Sequence, residues 1–181
     1  EHADNIGYQC GGWSIWWQGG SGKITKGTSI LDGIKSRTGK NINLNYSKSG
    51  DVDKNTDLII VAIGEKPYAE MNGDRESLDL SKNDIALVNK LSKSGKPIVM
   101  VLISGRPMIL EPILEKCDAI LAAWLPGSEG AGISDILFGD YSPTAKLSFS
   151  WPKNMKQIPI NFGDTNYDPL YRFGHGLTFR D

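Results

Sequence analysis

The chain has 181 residues, of which 39% are hydrophobic and 23% charged, and its formal net charge at pH 7 is −1. These values predict one soluble globular domain, residues 1–181, long enough to bury a core. The near-neutral charge gives no reason to expect nucleic acid or an anionic membrane surface as a partner. No apolar run approaches the roughly 18 residues of a membrane span. The two cysteines, Cys10 and Cys117, are too few for a disulfide scaffold.

The first half of the chain alternates helical and strand patterns. TSILDGIKS, residues 28–36, places its apolar side chains on one helical face. INLNY, residues 42–46, alternates apolar and polar residues and is a weak candidate strand. LIIVAI, residues 58–63, is a continuous β-branched run, which suits a strand buried on both faces of a parallel sheet. Residues 81–94 predict a helix with Ser81 at its N-cap and an apolar stripe along one face.

The second half continues this alternation. PIVMVLI, residues 97–103, and AILAAW, residues 119–124, are two further candidates for buried strands. A short helix is predicted between them at residues 110–116, and another helix follows at residues 128–138. KLSFS, residues 146–150, alternates and is followed closely by a proline, so it predicts an edge strand.

Strands and helices in alternation predict an α/β fold with right-handed crossovers between parallel strands. The sheet is expected to be mostly parallel with one antiparallel edge strand, and the domain to be flavodoxin-like in appearance. The sequence before residue 28 resembles a loop, whereas domains of this class usually open on a buried strand. We therefore expect the first strand of the domain to be absent from this chain.

The strand predicted at residues 58–63 leads directly into a loop rich in carboxylates. Ligands of open parallel sheets bind beyond the carboxyl ends of the strands, so this loop is a candidate site. A carboxylic acid there can act as a general acid if burial favours its protonated form. The alternative is a solvated acidic loop whose carboxylates only repel one another. The acidic residues of the loop are Glu65, Glu70, Asp74, Glu76 and Asp79.

The segment GGWSIWWQGG, residues 11–20, holds three of the five tryptophans and is bounded by glycines. Flanking glycines weaken regular structure, and three indoles are unusual on a surface loop. Sugar rings present apolar faces that stack on indoles, so Trp13, Trp16 and Trp17 are candidates for ligand stacking. The equally weighted alternative is that the indoles cover the end of the sheet.

Other chemical motifs are not supported by the sequence. GGSGKIT resembles a phosphate loop, but Ile24 stands where a serine or threonine should bind magnesium. His2 and His175, the two histidines, lie at opposite ends of the chain, which disfavours a zinc site or a Ser-His-Asp triad. His175 is expected to have a packing or hydrogen-bonding role. We expect neither a metal nor a cofactor.

The chain contains, in this order, HADNIGYQCGGWSIWWQG, VAIGEKPYAEMNGD, VLISGRPMILEPIL, AAWLPGSEGAGISDILFGDYSPTAKLSFSWP and DPLYRFGHGL. Together these stretches resemble the second domain of glycoside hydrolase family 3, above all the exo-acting β-glucan glucohydrolases of plants and bacteria. The resemblance covers essentially the whole chain. The combination of WLPGSEG, LFGDY-x-P and FG-x-GL makes it specific.

The resemblance implies a three-layer (α/β) sandwich packed against a separate N-terminal (β/α)8 barrel that these residues do not include. It also implies a retaining mechanism on a β-glucan or β-glucoside. A barrel aspartate would attack the anomeric carbon, and a glutamate of this domain would protonate the leaving oxygen and later activate water. The chain alone is expected to be inactive because the nucleophile would lie in the barrel.

The resemblance also assigns site residues. In the G-E-x-P-Y-x-E segment the acid/base falls on Glu70, with Glu65 as the alternative. In the W-x-x-x-W-Q-G pattern the aromatic wall of the leaving-side sugar subsite falls on Trp17, with Trp13 in support. Trp16 stands where relatives carry a polar residue, and it could simply cover the loop.

Two other functions stay open at this point. A non-catalytic carbohydrate-binding module would use Trp13 and Trp17 as a platform and would not need Glu70. A nucleotide-binding domain is suggested by the α/β pattern alone, but the sequence lacks a phosphate loop. Because members of the family act on extracellular or periplasmic glucans, the resemblance implies a secreted or periplasmic protein, although no export signal is recognisable in the sequence.

Overall fold

The computed structural model describes residues 1–179. Its sheet contains β1 (Ile59–Gly64), β2 (Ile98–Ile103) and β3 (Ala119–Trp124), in that spatial order and all parallel. Each strand lies within one residue of a predicted apolar run. Because the strands are parallel, their carboxyl ends meet at one edge of the sheet, and the loops that follow them are neighbours.

Helices connect and flank these strands. The α-helices are α1 (Ile6–Cys10), α2 (Ile30–Arg37), α3 (Lys82–Ser92) and α4 (Gly130–Leu137). Short 3-10 helices lie at His2–Asp4, Glu70–Gly73, Leu114–Lys116 and Met155–Gln157. Between residues 1 and 179, the helices are all too short or too polar to cross a membrane.

The side chains of the strands alternate between two cores. On one face of the sheet, Ile59, Val61 and Ile63 of β1 pack with residues of α3. On the other face, Ile60 and Ala62 pack with residues of α2 and α4. Helices therefore cover both faces of a parallel sheet, and the predicted three-layer α/β architecture is confirmed.

Helix α3 begins and packs as its sequence predicts. The Ser81 hydroxyl oxygen accepts a hydrogen bond from the Asp84 backbone N–H at 3.0 Å, and the hydroxyl donates to the Asp84 carboxylate at 2.7 Å. This N-cap satisfies one of the free donors of the first turn. Val88 and Leu91 are the buried residues of the helix, and they anchor its apolar stripe in the core.

Two helical segments differ from the prediction. The opening segment, predicted as a loop, contains α1, whose N-terminus is capped because the Asn5 side chain accepts a hydrogen bond from the Tyr8 N–H at 3.0 Å. The helix predicted at residues 110–116 is reduced to the 3-10 helix Leu114–Lys116. Pro112 explains this shortening, since it has no backbone N–H and disfavours a helical conformation in the residue before it.

Two predicted strands are not formed in the part of the chain that the structure describes. Residues 146–150, expected to be an antiparallel edge strand, do not pair with the sheet. Leu147 instead exchanges backbone hydrogen bonds with Gly174 and His175 of the C-terminal tail, and an antiparallel bridge just after the segment joins Trp151 to Tyr171. Residues 42–46 are irregular, and Leu44 alone of their apolar side chains packs against the core on the α2 side. Alternation predicts a strand only where a neighbouring strand can accept its hydrogen bonds.

Candidate active site

Glu70 lies on the loop that follows β1, at the carboxyl edge of the sheet. It begins the 3-10 turn Glu70–Gly73 directly after the extended residue Ala69, and its own φ of 49° is in the left-handed region. Its side chain is exposed, and within residues 1–179 its carboxylate makes no hydrogen bond or ion pair. A left-handed non-glycine residue is uncommon and is often found at functional sites. Glu70 is therefore held in a defined backbone position with its carboxylate free.

Glu65, the alternative acid, lies in the opposite environment. Its side chain is only 7% exposed, and both carboxylate oxygens accept hydrogen bonds. Arg75 donates to Oε1 at 2.9 Å, Arg106 Nε lies 3.1 Å from Oε1 and 3.3 Å from Oε2, and the Tyr68 hydroxyl donates to Oε2 at 3.1 Å. Because these donors occupy both oxygens, Glu65 has no free oxygen with which to approach a substrate.

Tyr68 joins this cluster as a hydrogen-bond donor. Burial, together with the negative charge of Glu65, raises the pKa of the Tyr68 phenol to about 12. The phenol therefore keeps its proton at neutral pH and can donate it to the carboxylate. The guanidinium carbon of Arg106 lies 4.3 Å from the centre of the Tyr68 ring, a cation–π contact that fixes the ring from one side.

The tryptophan segment folds as a tight exposed loop. Trp13 and Ile15 have φ values of 61° and 66°, and the Trp13 N–H donates to the Trp17 carbonyl at 2.9 Å. Trp13 is 68% exposed and Trp17 is 46% exposed. Their ring centroids are 6.4 Å apart and their planes are tilted by 53°. The two indoles thus form a tilted pair of apolar surfaces that the protein itself does not cover.

Trp16 has a different setting from its neighbours. The edge of its six-membered ring lies over Gly20, so close that a β-carbon at Gly20 would come within 2.9 Å of it. The remainder of the side chain is solvent-exposed. Trp16 therefore covers the base of its own loop.

Hydrogen bonds join the tryptophan loop, residues 11–20, directly to the loop after β1 that carries Glu70, residues 65–79, here called the Glu70 loop. The Gln18 side-chain amide donates to the Ala69 carbonyl at 3.2 Å and accepts from the Ala69 N–H at 3.0 Å. These two bonds place Trp17 and Glu70 next to the joined residues. Gly12 makes a second contact, where a β-carbon would overlap the Tyr68 carbonyl oxygen. The role of Gln18 could not be predicted from the sequence, since no residue pattern indicates which distant backbone its amide pairs with.

A cavity lies beside the Glu70 loop. It has a volume of about 880 Å³ and is lined mainly by polar residues, including Glu65, Tyr68, Arg75 and Arg106. Glu70 and the three indoles do not line it. The free carboxylate and the exposed indoles therefore lie on open surface, so a closed sugar site there would need a second wall from outside these residues.

The two histidines and the two cysteines lie in packed or partly buried environments. His2 is buried and its Nε2 donates to a backbone carbonyl at 3.2 Å, and the His175 ring is stacked on Tyr171 at 4.6 Å between centroids. Cys10 and Cys117 are free, and burial raises the pKa of both thiols. Among the residues that the structure describes, no group of three His, Cys, Asp or Glu side chains could hold a metal ion.

Comparison with protein-family models gives a match over residues 1–179 to the glycosyl hydrolase family 3 C-terminal domain. The chain belongs to glycosyl hydrolase family 3. Two curated relatives in the family are a lysosomal beta glucosidase from Dictyostelium discoideum, 34% identical over 98% of the chain, and a periplasmic beta-glucosidase from Salmonella typhimurium, 34% identical over 70% of it.

The family 3 chain also resembles a solved structure over its full length. This is the exo-1,3/1,4-beta-glucanase ExoP from a Pseudoalteromonas species, solved as its Q683A mutant, with 42% identity, a TM-score of 0.94 and coverage of 100% of the chain. The chain spans 31% of that glucanase, 25% of the Dictyostelium relative and 20% of the Salmonella relative. These proteins therefore contain a large part that this chain does not represent.

Proposed function

We propose that this chain is the part of a retaining, exo-acting β-glucosidase or β-glucan glucohydrolase that supplies the general acid/base and one aromatic wall of the leaving-side sugar subsite. The observation that carries the proposal is the Gln18–Ala69 hydrogen-bond pair. It joins Ala69, which precedes Glu70 on the loop after a parallel strand, to Gln18, which follows the exposed Trp17.

The partner of this chain would be a (β/α)8 barrel domain of the same enzyme. In the retaining mechanism the barrel carries an aspartate nucleophile, about 5–5.5 Å from the acid/base carboxyl. Glu70 protonates the glycosidic oxygen as the aspartate attacks the anomeric carbon, and a glucosyl-enzyme forms as the leaving group departs. The Glu70 carboxylate then removes a proton from water, which attacks the same carbon and releases glucose with retained configuration.

The exposure of Glu70 in this chain agrees with an active site that this chain and the barrel form together. A barrel packed over the loop would exclude water from around Glu70 and so close the site in which it meets the glycosidic oxygen. The same packing would supply the missing second wall opposite the indoles.

Trp17 and Trp13 are suited to the sugar on the leaving side. Stacking on an indole uses the apolar C–H face of a pyranose and does not read the position of the glycosidic bond. An enzyme with this wall would accept more than one linkage, in agreement with the similarity to an exo-1,3/1,4-beta-glucanase. A secreted or periplasmic location is part of the proposal and is supported by the periplasmic beta-glucosidase among the relatives.

The acid/base assignment is tested with Glu70→Ala in the full-length enzyme. With phenyl β-glucoside, whose leaving group needs protonation, we expect kcat/KM to fall by about 10²–10⁴-fold. With dinitrophenyl β-glucoside, which leaves without acid, azide should restore turnover and give β-glucosyl azide, because a small anion can replace the missing base. Product analysis by NMR identifies the β-azide.

Glu76→Ala is the matched control, since Glu76 is an exposed glutamate on the same loop. We expect this variant to behave as the wild type with both substrates. Near-normal hydrolysis of phenyl β-glucoside by Glu70→Ala would contradict the assignment. Glucan binding that persists in an enzyme with no hydrolase activity of any kind would favour the carbohydrate-binding module instead.

A further inference from the structure

We propose that Glu65 is a positioning residue, which fixes the loop carrying Glu70 through hydrogen bonds from Arg75, Arg106 and Tyr68 to its buried carboxylate. This inference rests on the proposed role of Glu70 and extends it. It assigns a function to a carboxylate that contacts no substrate in the proposed mechanism, and it explains why the chain buries a glutamate beside the site.

Arg106 is the centre of the cluster because it binds the Glu70 loop on both sides of Glu70. Before Glu70, its Nε donates to the Glu65 carboxylate. After Glu70, its Nη1 donates to the carbonyl of Gly73, the last residue of the 3-10 turn, at 2.7 Å. Arg106 itself follows β2, so it ties the loop after β1 to the neighbouring strand. A planar guanidinium can make these bonds together, whereas a lysine ammonium cannot match that geometry.

Arg75 and Tyr68 bind the same carboxylate and also contact other residues of the Glu70 loop. Arg75 donates from Nη1 to Glu65 and from Nη2 to the Asp79 carbonyl at 2.8 Å. Tyr68 donates to Glu65, and its ring fills the space beside Gly73, where a β-carbon would overlap it. One buried carboxylate thus receives bonds from three side chains that lie before, after and across from Glu70. Such a network has few alternative arrangements, which keeps the loop in one conformation.

The position of the loop matters because proton donation depends steeply on geometry. Misplacing a reacting group by about 1 Å can lower a rate by about 100-fold. The penalty falls only on steps that need the group. A displaced Glu70 should therefore lower kcat/KM for substrates with poor leaving groups and leave kcat/KM for substrates with activated leaving groups nearly unchanged, because kcat/KM reports the step that forms the glucosyl-enzyme.

The test is Glu65→Gln in the full-length enzyme, measured with phenyl and dinitrophenyl β-glucosides. The substitution keeps the shape of the side chain but removes the charge that both arginines bind. We expect kcat/KM to fall by about 10–100-fold for the phenyl substrate and by less than about threefold for the dinitrophenyl substrate. Azide should give no β-glucosyl azide, because the Glu70 carboxylate is still present and repels the anion.

Arg106→Lys should give the same dependence on the leaving group. The lysine keeps the positive charge but cannot donate to the Glu65 carboxylate and the Gly73 carbonyl together. Glu76→Gln is the matched control and should leave both rates unchanged. Tyr68→Phe removes a single hydrogen bond to Glu65 and keeps the ring, so it should fold even if Glu65→Gln does not. We expect it to shift the phenyl rate in the same direction by a smaller factor.

Three results would overturn this inference, and they are distinguishable. Equal losses with both substrates in Glu65→Gln or Tyr68→Phe would show that the cluster only stabilises the fold. Wild-type rates in both variants, with azide rescue of Glu70→Ala, would remove the positioning role and leave the acid/base assignment intact. A β-glucosyl azide formed by Glu65→Gln and not by Glu70→Ala would move the acid/base to Glu65 and overturn the proposed function as well.

Discussion

At the scale of single residues, two glutamates of one loop differ through the donors around them. Glu65 is buried among side chains that occupy its oxygens, whereas the Glu70 carboxylate is exposed and free. Both glutamates are recognisable in the sequence because they belong to the motif G-E-x-P-Y-x-E. The two environments differ because Arg106 binds the Glu65 carboxylate and not that of Glu70. Arg106 lies in the segment after β2, 36 positions beyond Glu70. The sequence could therefore name both candidates, while only the fold shows which carboxylate is free.

The tryptophans allow a test at the same scale. Trp17→Ala should raise KM for a β-glucan disaccharide by about tenfold, equivalent to about 1.4 kcal/mol, because the stacking surface for the leaving sugar is lost. Methyl β-glucoside carries no second sugar, so its KM should not change. Trp16→Ala is the matched control, since Trp16 lies over Gly20 in the same loop, and it should alter neither value. Steady-state kinetics measure all of these, and an equal effect of Trp16→Ala would contradict the assignment.

At the scale of secondary-structure elements, the strands and α3 follow local signals that the sequence displays. Continuous apolar runs predicted β1, β2 and β3, and Ser81 as an N-cap predicted the start of α3. Helix α1 has a cap of its own at Asn5, but it is only five residues long, and the buried side chain of Gln9 ties it to segments that are distant in the sequence. Gln9 is completely buried and its amide donates to the carbonyls of Thr28, at 3.3 Å, and Gly127, at 3.0 Å. It also accepts from the N–H of Ile30, at the start of α2, at 3.0 Å.

Gln9 is thus an N-terminal cap for α2 supplied from outside that helix. Gln9→Leu should lower the free energy of unfolding by about 2–4 kcal/mol, since it leaves a buried N–H and two carbonyls without this partner. Gln157→Leu is the matched control. Gln157 also makes two hydrogen bonds, but in a more exposed segment, so its loss should cost less than about 1 kcal/mol. Denaturant unfolding of both variants measures the difference, and equal losses would contradict the capping role.

At the scale of the whole molecule, the alternation of strands and helices was sufficient to predict an α/β fold with a buried parallel sheet. The edges of the sheet could not be predicted in the same way. Residues 42–46 and 146–150 alternate as strands do, but hydrogen-bond partners at a sheet edge are set by distant segments, here by the pairing of Trp151 with Tyr171. The flanking glycines identified the tryptophans as candidates for ligand stacking, with coverage of the sheet as the equally weighted alternative. The Gln18–Ala69 pair that joins their loop to the Glu70 loop could not be predicted.

One buried group should make the stability of the molecule depend on pH. Burial of His2, where it donates to the Glu65 carbonyl, lowers its pKa below the ordinary value of about 6.5. The unfolded chain therefore binds a proton below pH of about 6.5 that the folded chain does not. The free energy of unfolding should fall as pH decreases from that value toward the lowered pKa, by at most about 1.4 kcal/mol per pH unit. Above pH of about 6.5 this contribution should be constant.

His2→Gln provides the comparison, because the glutamine amide can donate a hydrogen bond but does not titrate. Its unfolding midpoint in denaturant should vary less with pH than that of the wild type between about pH 6.5 and 5. An identical pH dependence in the two proteins would show that His2 is not the group responsible.

The contact between Gly12 and the Tyr68 carbonyl has a practical consequence for redesign. Where a side-chain contact sets the distance between two loops, each substitution moves one loop relative to the other. Here main-chain atoms of Gly12 and Tyr68 meet directly, and Gln18 adds two hydrogen bonds to Ala69, so the spacing between the tryptophan loop and the Glu70 loop does not depend on the indole side chains. Libraries varied at Trp13 and Trp17 should therefore change which aglycones are accepted without displacing Glu70. A library that includes Gly12 should consist mostly of inactive members.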